Sequence, residues 1–357
     1  MWIYWMVCVL AMLGAVFKNK IKVTDGVPII KKRKLSIVLT MIPLLLISVF
    51  RYGVGSDYFE YERLFNEINA TDTNRYEFLF SLLNRFIYKL GMPFHGFIVI
   101  AALIFVILVI LAIHRDSPYI ALSIFLLFSM SFFFQSLNIV RQMVGCAICL
   151  YSIKYIEEKK IIKYVTCMVL AFGFHSTSII FIPVYFLFKI KLDLKKAIPI
   201  LGFIFLIQGR ITDIVNNYAM GNINYAGYID NLSGTASSSG YISLTINIMI
   251  YVFAYLVLEQ NVIRERGYLN IQLAAVALSM LNGKIPLLNR LRFFYTLPGI
   301  ILIPIAINKI KSRLTRIIAM VAISVLFFAY CLYIEGYMNQ SASYPYYTIL
   351  NYMKGTK

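Results

Sequence analysis

Apolar residues occur along this chain in long runs that short polar stretches separate. Twelve runs approach the roughly 20 apolar residues that a helix needs to cross the hydrocarbon core of a membrane. They are residues 1–17, 35–50, 94–113, 119–134, 139–156, 161–174, 177–188, 197–207, 241–258, 269–281, 293–307 and 315–334. The pattern predicts an all-α polytopic protein with about 12 transmembrane helices in one integral membrane domain, 1–357. Because several runs are short, we expect some helices to be broken or re-entrant around a buried cavity.

The composition excludes an ordinary soluble domain. Charged residues make up 14% of the 357 residues, against about 25% in a typical soluble protein, and the mean hydropathy is +0.76. All five cysteines lie inside apolar runs, so we predict neither a disulfide framework nor a thiolate metal site. The first run lacks a basic segment and a small-residue cleavage site, so we expect a retained helix.

The basic residues divide into two sets on opposite sides of the predicted membrane. Alternating loops on one side carry 22 of the 34 basic residues, and these loops are 18–34, 114–117, 154–163, 189–196, 259–267 and 308–316. The excess of Lys and Arg in short loops predicts that this side is cytoplasmic and that both termini lie outside. The net charge of +18 is then better explained by contact with lipid headgroups than by a nucleic-acid partner.

The opposite side carries the remaining 12 basic residues, of which eight are Arg. A planar guanidinium binds phosphate or carboxylate in a bidentate manner, so this bias predicts an anion site that faces outward. Three outer segments are long enough to shape it: 51–93, with helical periodicity that predicts an interfacial amphipathic helix at 76–91; 208–240, a loop rich in Asn, Gly and Ser that we expect to be mobile; and the tail 335–357.

The first candidate motif is R-Y-G-V-G-S-D-Y at 51–58, directly after the second apolar run. Its two glycines permit close approach of the backbone to a ligand. Arg51 and Asp57 supply opposite charges, and Asp57 is a candidate general base or metal ligand, with Tyr58 beside it as a candidate substrate contact. The alternative is structural, with Arg51 as an interfacial anchor and Asp57 as a turn residue or its ion-pair partner.

The second motif is N-I-V-R-Q at 138–142, at the outer end of the fifth run. Asn138, Arg141 and Gln142 have the spacing i, i+3 and i+4 and therefore share one helix face. An Arg near the end of a membrane helix is costly unless it is paired or hydrated, which favours a substrate-binding role. The alternative is an Arg that reaches the headgroups, with Asn and Gln packing between helices.

The third motif is F-H-S-T-S at 174–178, in a short outer turn. His175 can titrate near neutral pH and accept the proton of a hydroxyl group as a general base. A single His with Ser neighbours is also compatible with a hydrogen-bonded structural residue.

The fourth motif is N-R-L-R-F-F-Y at 289–295, at the outer end of the connection between the tenth and eleventh runs. Arg290, Arg292 and Tyr295 could bind a pyrophosphate through charge-assisted hydrogen bonds. The alternative is a charged turn with no ligand.

In this order the motifs resemble the EpsG-like branch of the Wzy-type polysaccharide polymerases. The resemblance is strongest over 50–185, where Y-E-F-L-F at 76–80 and Y-I-E-E-K-K at 155–160 accompany the first three motifs. Beyond that range it rests mainly on 289–295. One departure from the family pattern is Phe78, where a Pro would be expected after the Glu.

The resemblance implies a bacterial GT-C-type glycosyltransferase of the cytoplasmic membrane. Such an enzyme joins oligosaccharide repeat units carried on undecaprenyl pyrophosphate at the outer face, for a capsule, exopolysaccharide or O-antigen. The lipid pyrophosphate leaves, stabilised by the candidates Arg51, Arg141, Arg290 and Arg292. Gln142 orients it, and His175 or Asp57 deprotonates the acceptor. We prefer His175, because the neighbouring Arg residues are expected to lower the pKa of Asp57 and make it a poorer base.

The resemblance also implies which other molecules take part. The pyrophosphate-linked donor needs no cofactor, and a divalent ion at Asp57 is the weaker option. A flippase and a chain-length regulator are the implied protein partners, besides membrane lipid.

Three other functions remain open at this point. A membrane acyltransferase that modifies cell-surface sugars would also place a His near the bilayer. A transporter or flippase of lipid-linked sugars would tend to show repeated halves and charges near the midplane, and neither is visible in the sequence. The third is an assembly partner without chemistry of its own, and the long outer loops with paired Arg residues argue mildly against it.

Overall fold

The computed structural model describes residues 1–16, 21–24, 27–30, 34–71, 75–220, 236–281 and 290–350, and most of them are helical. The α-helices are α1 (Trp2–Val16), α2 (Lys34–Val49), α3 (Tyr58–Ala70), α4 (Phe78–Lys89), α5 (His95–Asp116), α6 (Ile120–Ser129), α7 (Phe132–Asn138), α8 (Val140–Glu157), α9 (Ile161–Phe174), α10 (Val184–Leu187), α11 (Leu194–Met220), α12 (Ala236–Val257), α13 (Ile263–Met280), α14 (Phe293–Thr296), α15 (Gly299–Lys309) and α16 (Arg313–Cys331). A 3₁₀ helix (Ser176–Phe181) follows α9, and a π-helical segment (Leu332–Tyr337) continues α16.

One short hairpin departs from the all-α prediction. Strands β1 (Ile21–Thr24) and β2 (Val27–Ile30) pair antiparallel, with Ile21 opposite Ile30, inside the predicted loop 18–34. Both strands are rich in β-branched residues, which favour extended backbone. The sequence-based reading missed the hairpin because seven basic residues made the whole stretch look like an irregular loop.

Several helices are apolar enough to cross a membrane. Within the described ranges, α5 and the segments Gly240–Val257 and Arg313–Tyr337 meet the requirements of length and composition for a span. The pair α6 and α7 meets them together but is bent by 53°. The other apolar helices are shorter. The fold is therefore that of a helical protein with several membrane-compatible helices, and the number of twelve spans stays a prediction.

Some predicted runs are interrupted, as the sequence led us to expect. The run 119–134 breaks at Ser131, whose left-handed φ of 69° separates α6 from α7. The run 177–188 consists of the 3₁₀ helix and α10, which meet near Pro183, and the run 293–307 breaks between α14 and α15 at Pro298. Proline lacks the amide proton that a continuous helix requires at its interior positions.

Two predicted loops contain helix. The stretch 51–75 was predicted as an outer loop, yet it contains α3, whose buried residues Tyr61, Leu64, Phe65 and Ile68 have the spacing of one helix face. The intervening acidic and basic residues hid this pattern. The loop predicted at 208–240 is also helical at its start, because α11 continues to Met220. Residues 221–235, which carry much of its Asn, Gly and Ser content, lie outside the described residues.

Helix α4 lies within the stretch predicted to be amphipathic. Phe80, Asn84 and Ile87 are buried against the bundle. On the opposite face, exposed apolar side chains form a stripe with a spacing of four residues, composed of Phe78, Leu82 and Phe86. An exposed apolar stripe on such a helix suits contact with the lipid at a membrane surface.

Several loops that the sequence predicted on one side of the membrane are joined by ion pairs at one end of the bundle. Arg264 lies 2.9 Å from Asp116 and 3.6 Å from Glu157, and Lys309 lies 2.7 Å from Glu265. These contacts join four of the six loops that the sequence placed on one side. They support the predicted alternation of loops, while the assignment of this end to the cytoplasm stays a prediction.

The C-terminal segment packs at the opposite end. The backbone N–H of Tyr52 donates to the carbonyl of Tyr347 at 2.9 Å, and that of Gly55 donates to the carbonyl of Ala342 at 3.0 Å. Glu335 is buried in this region, where its carboxylate accepts hydrogen bonds from Ser131 and Ser341. The first candidate motif and the tail thus form one layer over the helix ends.

Candidate functional site

The glycines of the first motif bring it against the helix that precedes Arg141. Gly53 and Gly55 have φ values of 64° and 99°, which side chains other than glycine rarely adopt. A Cβ atom on Gly55 would lie only 2.5 Å from the carbonyl oxygen of Leu137 in α7. The close approach that the glycines permit is therefore to the protein's own backbone.

Arg51 secures this contact. Its buried guanidinium donates to the carbonyl of Leu137 and, at 3.4 Å, to that of Val54, and it lies 6.0 Å from the ring centroid of the equally buried Tyr58. The structure thus buries Arg51 and Tyr58, the two ends of the motif, beneath its central residues. In this position they hold the loop that carries Asp57.

Asn138 fixes Asp57 at the start of α3. Its Oδ1 accepts hydrogen bonds from the backbone N–H of Asp57 at 3.0 Å and from the hydroxyl of Ser56 at 2.9 Å. The carboxylate of Asp57 faces Arg290, with 3.8 Å between Oδ2 and Nη2. The first, second and fourth motifs therefore meet at Asp57.

The electrostatics of Asp57 correct one sequence-based expectation. Burial raises the pKa of Asp57, and the positive charge of Arg290 opposes this rise without cancelling it. We had expected the Arg residues to dominate and to lower the pKa. Burial destabilises the ionised carboxylate by more than the guanidinium 3.8 Å away stabilises it.

A second group of charges surrounds His175, which lies in the connection between α9 and the 3₁₀ helix. Glu77 Oε2 accepts a hydrogen bond from Arg141 Nη1 at 2.7 Å, and Glu77 Oε1 lies 3.3 Å from Nδ1 of His175. The same Oε1 accepts from the backbone N–H of Ser176 at 3.1 Å. Glu77 therefore links the second motif to the third.

Glu77 is ionised and acts on the pKa of His175. Burial alone would raise the pKa of Glu77, but the contacts with His175 and Arg141 lower it to about 2, so this carboxylate is ionised at any physiological pH. Burial lowers the pKa of His175, and Glu77 partly opposes that effect. A neutral imidazole with its proton on Nδ1, facing Glu77, leaves the lone pair on Nε2 for an incoming proton.

Arg141 and Gln142 are held by their surroundings but keep unused polar atoms. The guanidinium of Arg141 lies over the ring of Phe80 at 4.6 Å, and Gln142 donates through its amide group to the backbone carbonyl of Arg290. Nε of Arg141 and Oε1 of Gln142 are buried and find no hydrogen-bond partner in the described part of the chain. Buried polar groups are nearly always paired, so such atoms mark a place where a ligand or water can bind.

The two groups form one electrostatic site. The charges of Arg141 and Arg290 act on the pKa of both Asp57 and His175, and Gln142 connects the backbones that carry the two Arg residues. The structure thus brings together six of the residues that the sequence singled out: Asp57, Asn138, Arg141, Gln142, His175 and Arg290. We refer to these six residues and Glu77 as the charged cluster.

Two further predicted residues lie apart from the charged cluster. Arg292 donates to the hydroxyl of Ser243 in α12. Tyr295 is buried and donates its hydroxyl to the carbonyl of Ile180, where it packs on Phe181 with 5.6 Å between ring centroids. Both belong to the fourth motif, and among its described residues, 290–295, it is Arg290 that faces Asp57.

Glu77 was absent from the sequence-based candidates. It was read as a polar residue of the amphipathic helix, whereas it directly precedes α4 and points toward α8 and α9. Its one sequence signal was its position in the Y-E-F-L-F stretch that supported the family resemblance.

Comparison with known proteins adds the family. A model described as the EpsG family matches residues 34–352, which include every member of the charged cluster. The chain belongs to the EpsG family. Membership in the EpsG family indicates a polymerase-type function in polysaccharide biosynthesis for a membrane-embedded protein. Comparisons with curated proteins and with solved structures returned no match.

Proposed function

We propose that this protein is a glycosyltransferase that joins oligosaccharide repeat units carried on undecaprenyl pyrophosphate, with the lipid pyrophosphate as the leaving group. The observation that carries the proposal is the charged cluster, in which two candidate bases, Asp57 and His175, share one site with the cations Arg141 and Arg290. Family membership supports a polymerase reaction, and the cluster supplies groups suited to it.

In the proposed reaction a hydroxyl of the incoming unit attacks the anomeric carbon of the growing chain. The new carbon–oxygen bond forms as the bond from that carbon to the pyrophosphate oxygen breaks. The hydroxyl proton passes to Nε2 of His175, and the negative charge of Glu77 stabilises the resulting imidazolium. Asp57 remains the alternative base, and otherwise it orients the acceptor or Arg290.

The leaving group gains negative charge as this bond breaks. Fixed cations stabilise that charge more effectively than water does, because they need no reorientation during the reaction. Arg290 suits this role best, since its side chain is 36% exposed, whereas that of Arg141 is 20% exposed and paired with Glu77. The proposal needs no cofactor, and a divalent ion at Asp57 is its weaker variant.

The proposal includes a location and partners. We place the charged cluster at the outer face of a bacterial cytoplasmic membrane, with both termini outside and the ion pairs around Arg264 at the cytoplasmic end. The excess of basic residues in the predicted cytoplasmic loops supports this orientation. A flippase would deliver the lipid-linked unit, and a chain-length regulator would act on the product.

A reconstituted assay tests the proposed function. Full-length protein in lipid nanodiscs, supplied only with an undecaprenyl-pyrophosphate-linked repeat unit, is expected to produce a ladder of longer lipid-linked chains and to release one undecaprenyl pyrophosphate per linkage. The measurement is gel analysis of the glycan together with mass spectrometry of the lipid. Transfer of acyl groups from an added acyl donor, with no chain extension, would instead support the acyltransferase alternative. A full loss of extension in excess chelator, restored by a divalent cation, would favour the metal variant.

The link between Glu77 and His175 predicts a change in pH dependence. Because burial keeps the pKa of His175 low, extension by the native protein is expected to rise with pH below about 6.5, the ordinary pKa of histidine, and to level off above it. The carboxylate of Glu77 raises that pKa, so Glu77→Gln should move the rising limb to lower pH. It should also lower the maximal rate by about 10- to 100-fold, because the imidazolium loses its counter-charge. Initial rates across a pH series measure both effects.

A matched control separates this role from simple loss of a buried ion pair. Glu265→Gln removes a carboxylate that is buried and, like Glu77, lies 2.7 Å from a cation, here Lys309 at the opposite end of the bundle. It should change thermal stability and leave the position of the pH limb unchanged. A Glu77→Gln protein whose pH limb coincides with that of the native protein would contradict the positioning role.

A further inference from the structure

An apolar crevice runs along the side of the bundle between three helices. It has a volume of about 300 Å³, and α12, α15 and α16 supply its walls. The lining side chains are all apolar and include Met249, Phe253, Ile303, Ala322 and Phe327. The crevice is open to the surface of the bundle, since Met249 and Leu326 in its lining are exposed.

A polar recess continues the crevice at one end. Ile246 and Phe327 line both spaces. The recess adds Ser243, Asn247 and Arg292, and none of the described residues that line it is acidic. Arg292 donates to the hydroxyl of Ser243, so its positive charge has a fixed place at the top of the crevice.

The order of residues along the helices gives the crevice a direction. Ser243 and Asn247 precede Met249 and Phe253 in α12, and Arg292 and Thr296 precede Ile303 along α14 and α15. At a rise of 1.5 Å per residue, the distance along α12 from Ser243 to Phe253 is about 15 Å. Because Arg292 follows Arg290 by two residues, the polar recess lies at the same end of the bundle as the charged cluster.

We propose that this crevice binds the lipid carrier of the incoming unit, with its pyrophosphate at Arg292 and the first part of its isoprenoid chain between α12 and α16, while the pyrophosphate of the growing chain leaves at Arg290. The inference rests on the proposed function and adds a location for the lipid. A cation above an apolar trough complements an anionic headgroup on a hydrocarbon chain. It also explains why the fourth motif carries two Arg residues that face different partners.

Photolabelling tests the binding site directly. The probe is a polyprenyl pyrophosphate with a diazirine near the pyrophosphate end of its chain, added to full-length protein in phosphatidylcholine nanodiscs without any sugar-bearing substrate. Mass spectrometry is expected to locate the label on α12 and α16. Excess unlabelled polyprenyl pyrophosphate should displace the probe, whereas phosphatidylglycerol or inorganic pyrophosphate at the same concentration should not.

Two variants and a control sharpen the test. Ala322→Trp fills the crevice and Arg292→Gln removes the cation, and each should reduce labelling by about tenfold, equivalent to about 1.4 kcal/mol of binding free energy. Ile318→Trp adds the same side chain to α16 at a position that is 57% exposed and outside the lining, and it should label like the native protein. If native protein is labelled elsewhere, or phosphatidylglycerol competes equally, the crevice is not a carrier site.

The outcomes distinguish this inference from the proposed function. His175→Ala should lose chain extension and keep the labelling. Labelling in the crevice without extension by the native protein would reject only the polymerase reaction. Extension with no labelling in the crevice would reject only the carrier site.

Discussion

His175→Ala is expected to lower the rate of chain extension by roughly 10²- to 10⁴-fold, the usual contribution of a positioned general base. The imidazole lies 3.3 Å from an ionised Glu77, and burial keeps its pKa low, so it is neutral and able to accept a proton. Alanine removes the proton acceptor and leaves the Glu77–Arg141 pair in place. Initial rates with the lipid-linked repeat measure the loss, and substrate bearing a single repeat should accumulate.

A second histidine provides the control. His95 begins α5, and its Nε2 lies at hydrogen-bond distance, 2.6 Å, from the carbonyl oxygen of Val49. It is not part of the charged cluster. His95→Ala should affect thermal stability while changing extension by no more than a few fold. If His175→Ala retains native activity, the base is not His175, and loss of activity in Asp57→Asn would then assign the role to Asp57.

The meeting of the four motifs could be anticipated from the sequence. Asp57, Arg141, His175 and Arg290 each lie just beyond or at the end of an apolar run, and the alternation of runs places those ends on one side of the bundle. The order of the apolar runs along the chain therefore restricts these four residues to one end of the bundle. Which of these residues touch at that end depends on the packing of the helices, and the motifs did not predict those contacts.

Arg51 and Arg292 show what the motifs could not reveal. An Arg at a helix end has the same local sequence whether it binds a ligand or a backbone carbonyl, and Arg51 contacts the carbonyl of Leu137, 86 residues away in the chain. The pKa of Asp57 has the same limitation. The charges near it are visible in the sequence, but its burial, which dominates, follows only from the fold.

Arg290→Ala is expected to lower chain extension by about 10²- to 10³-fold, the effect of removing one preorganised donor from a developing anion. Arg290 is the more exposed cation of the cluster, and the amide of Gln142 fixes its backbone carbonyl. Arg290→Lys keeps the charge but loses the planar pair of donors, so it should recover only part of the rate. The measurements are kcat and KM for the lipid-linked donor and the rate of release of undecaprenyl pyrophosphate.

A control variant shows whether the loss of activity is specific to Arg290 or follows from removal of any exposed Arg. Arg63 in α3 is also exposed and is paired with Glu60 and Glu67, and exposed pairs of this kind contribute only about 0.2–1 kcal/mol to stability. Arg63→Ala should therefore leave extension unchanged. Loss of Arg290 also removes the charge that opposes the raised pKa of Asp57, so Arg290→Ala combined with Asp57→Asn tests whether the effect arises only through Asp57. If Arg290→Ala slows the native protein but causes no further loss in a protein that already carries Asp57→Asn, Arg290 acts by positioning Asp57 and not by binding the leaving group.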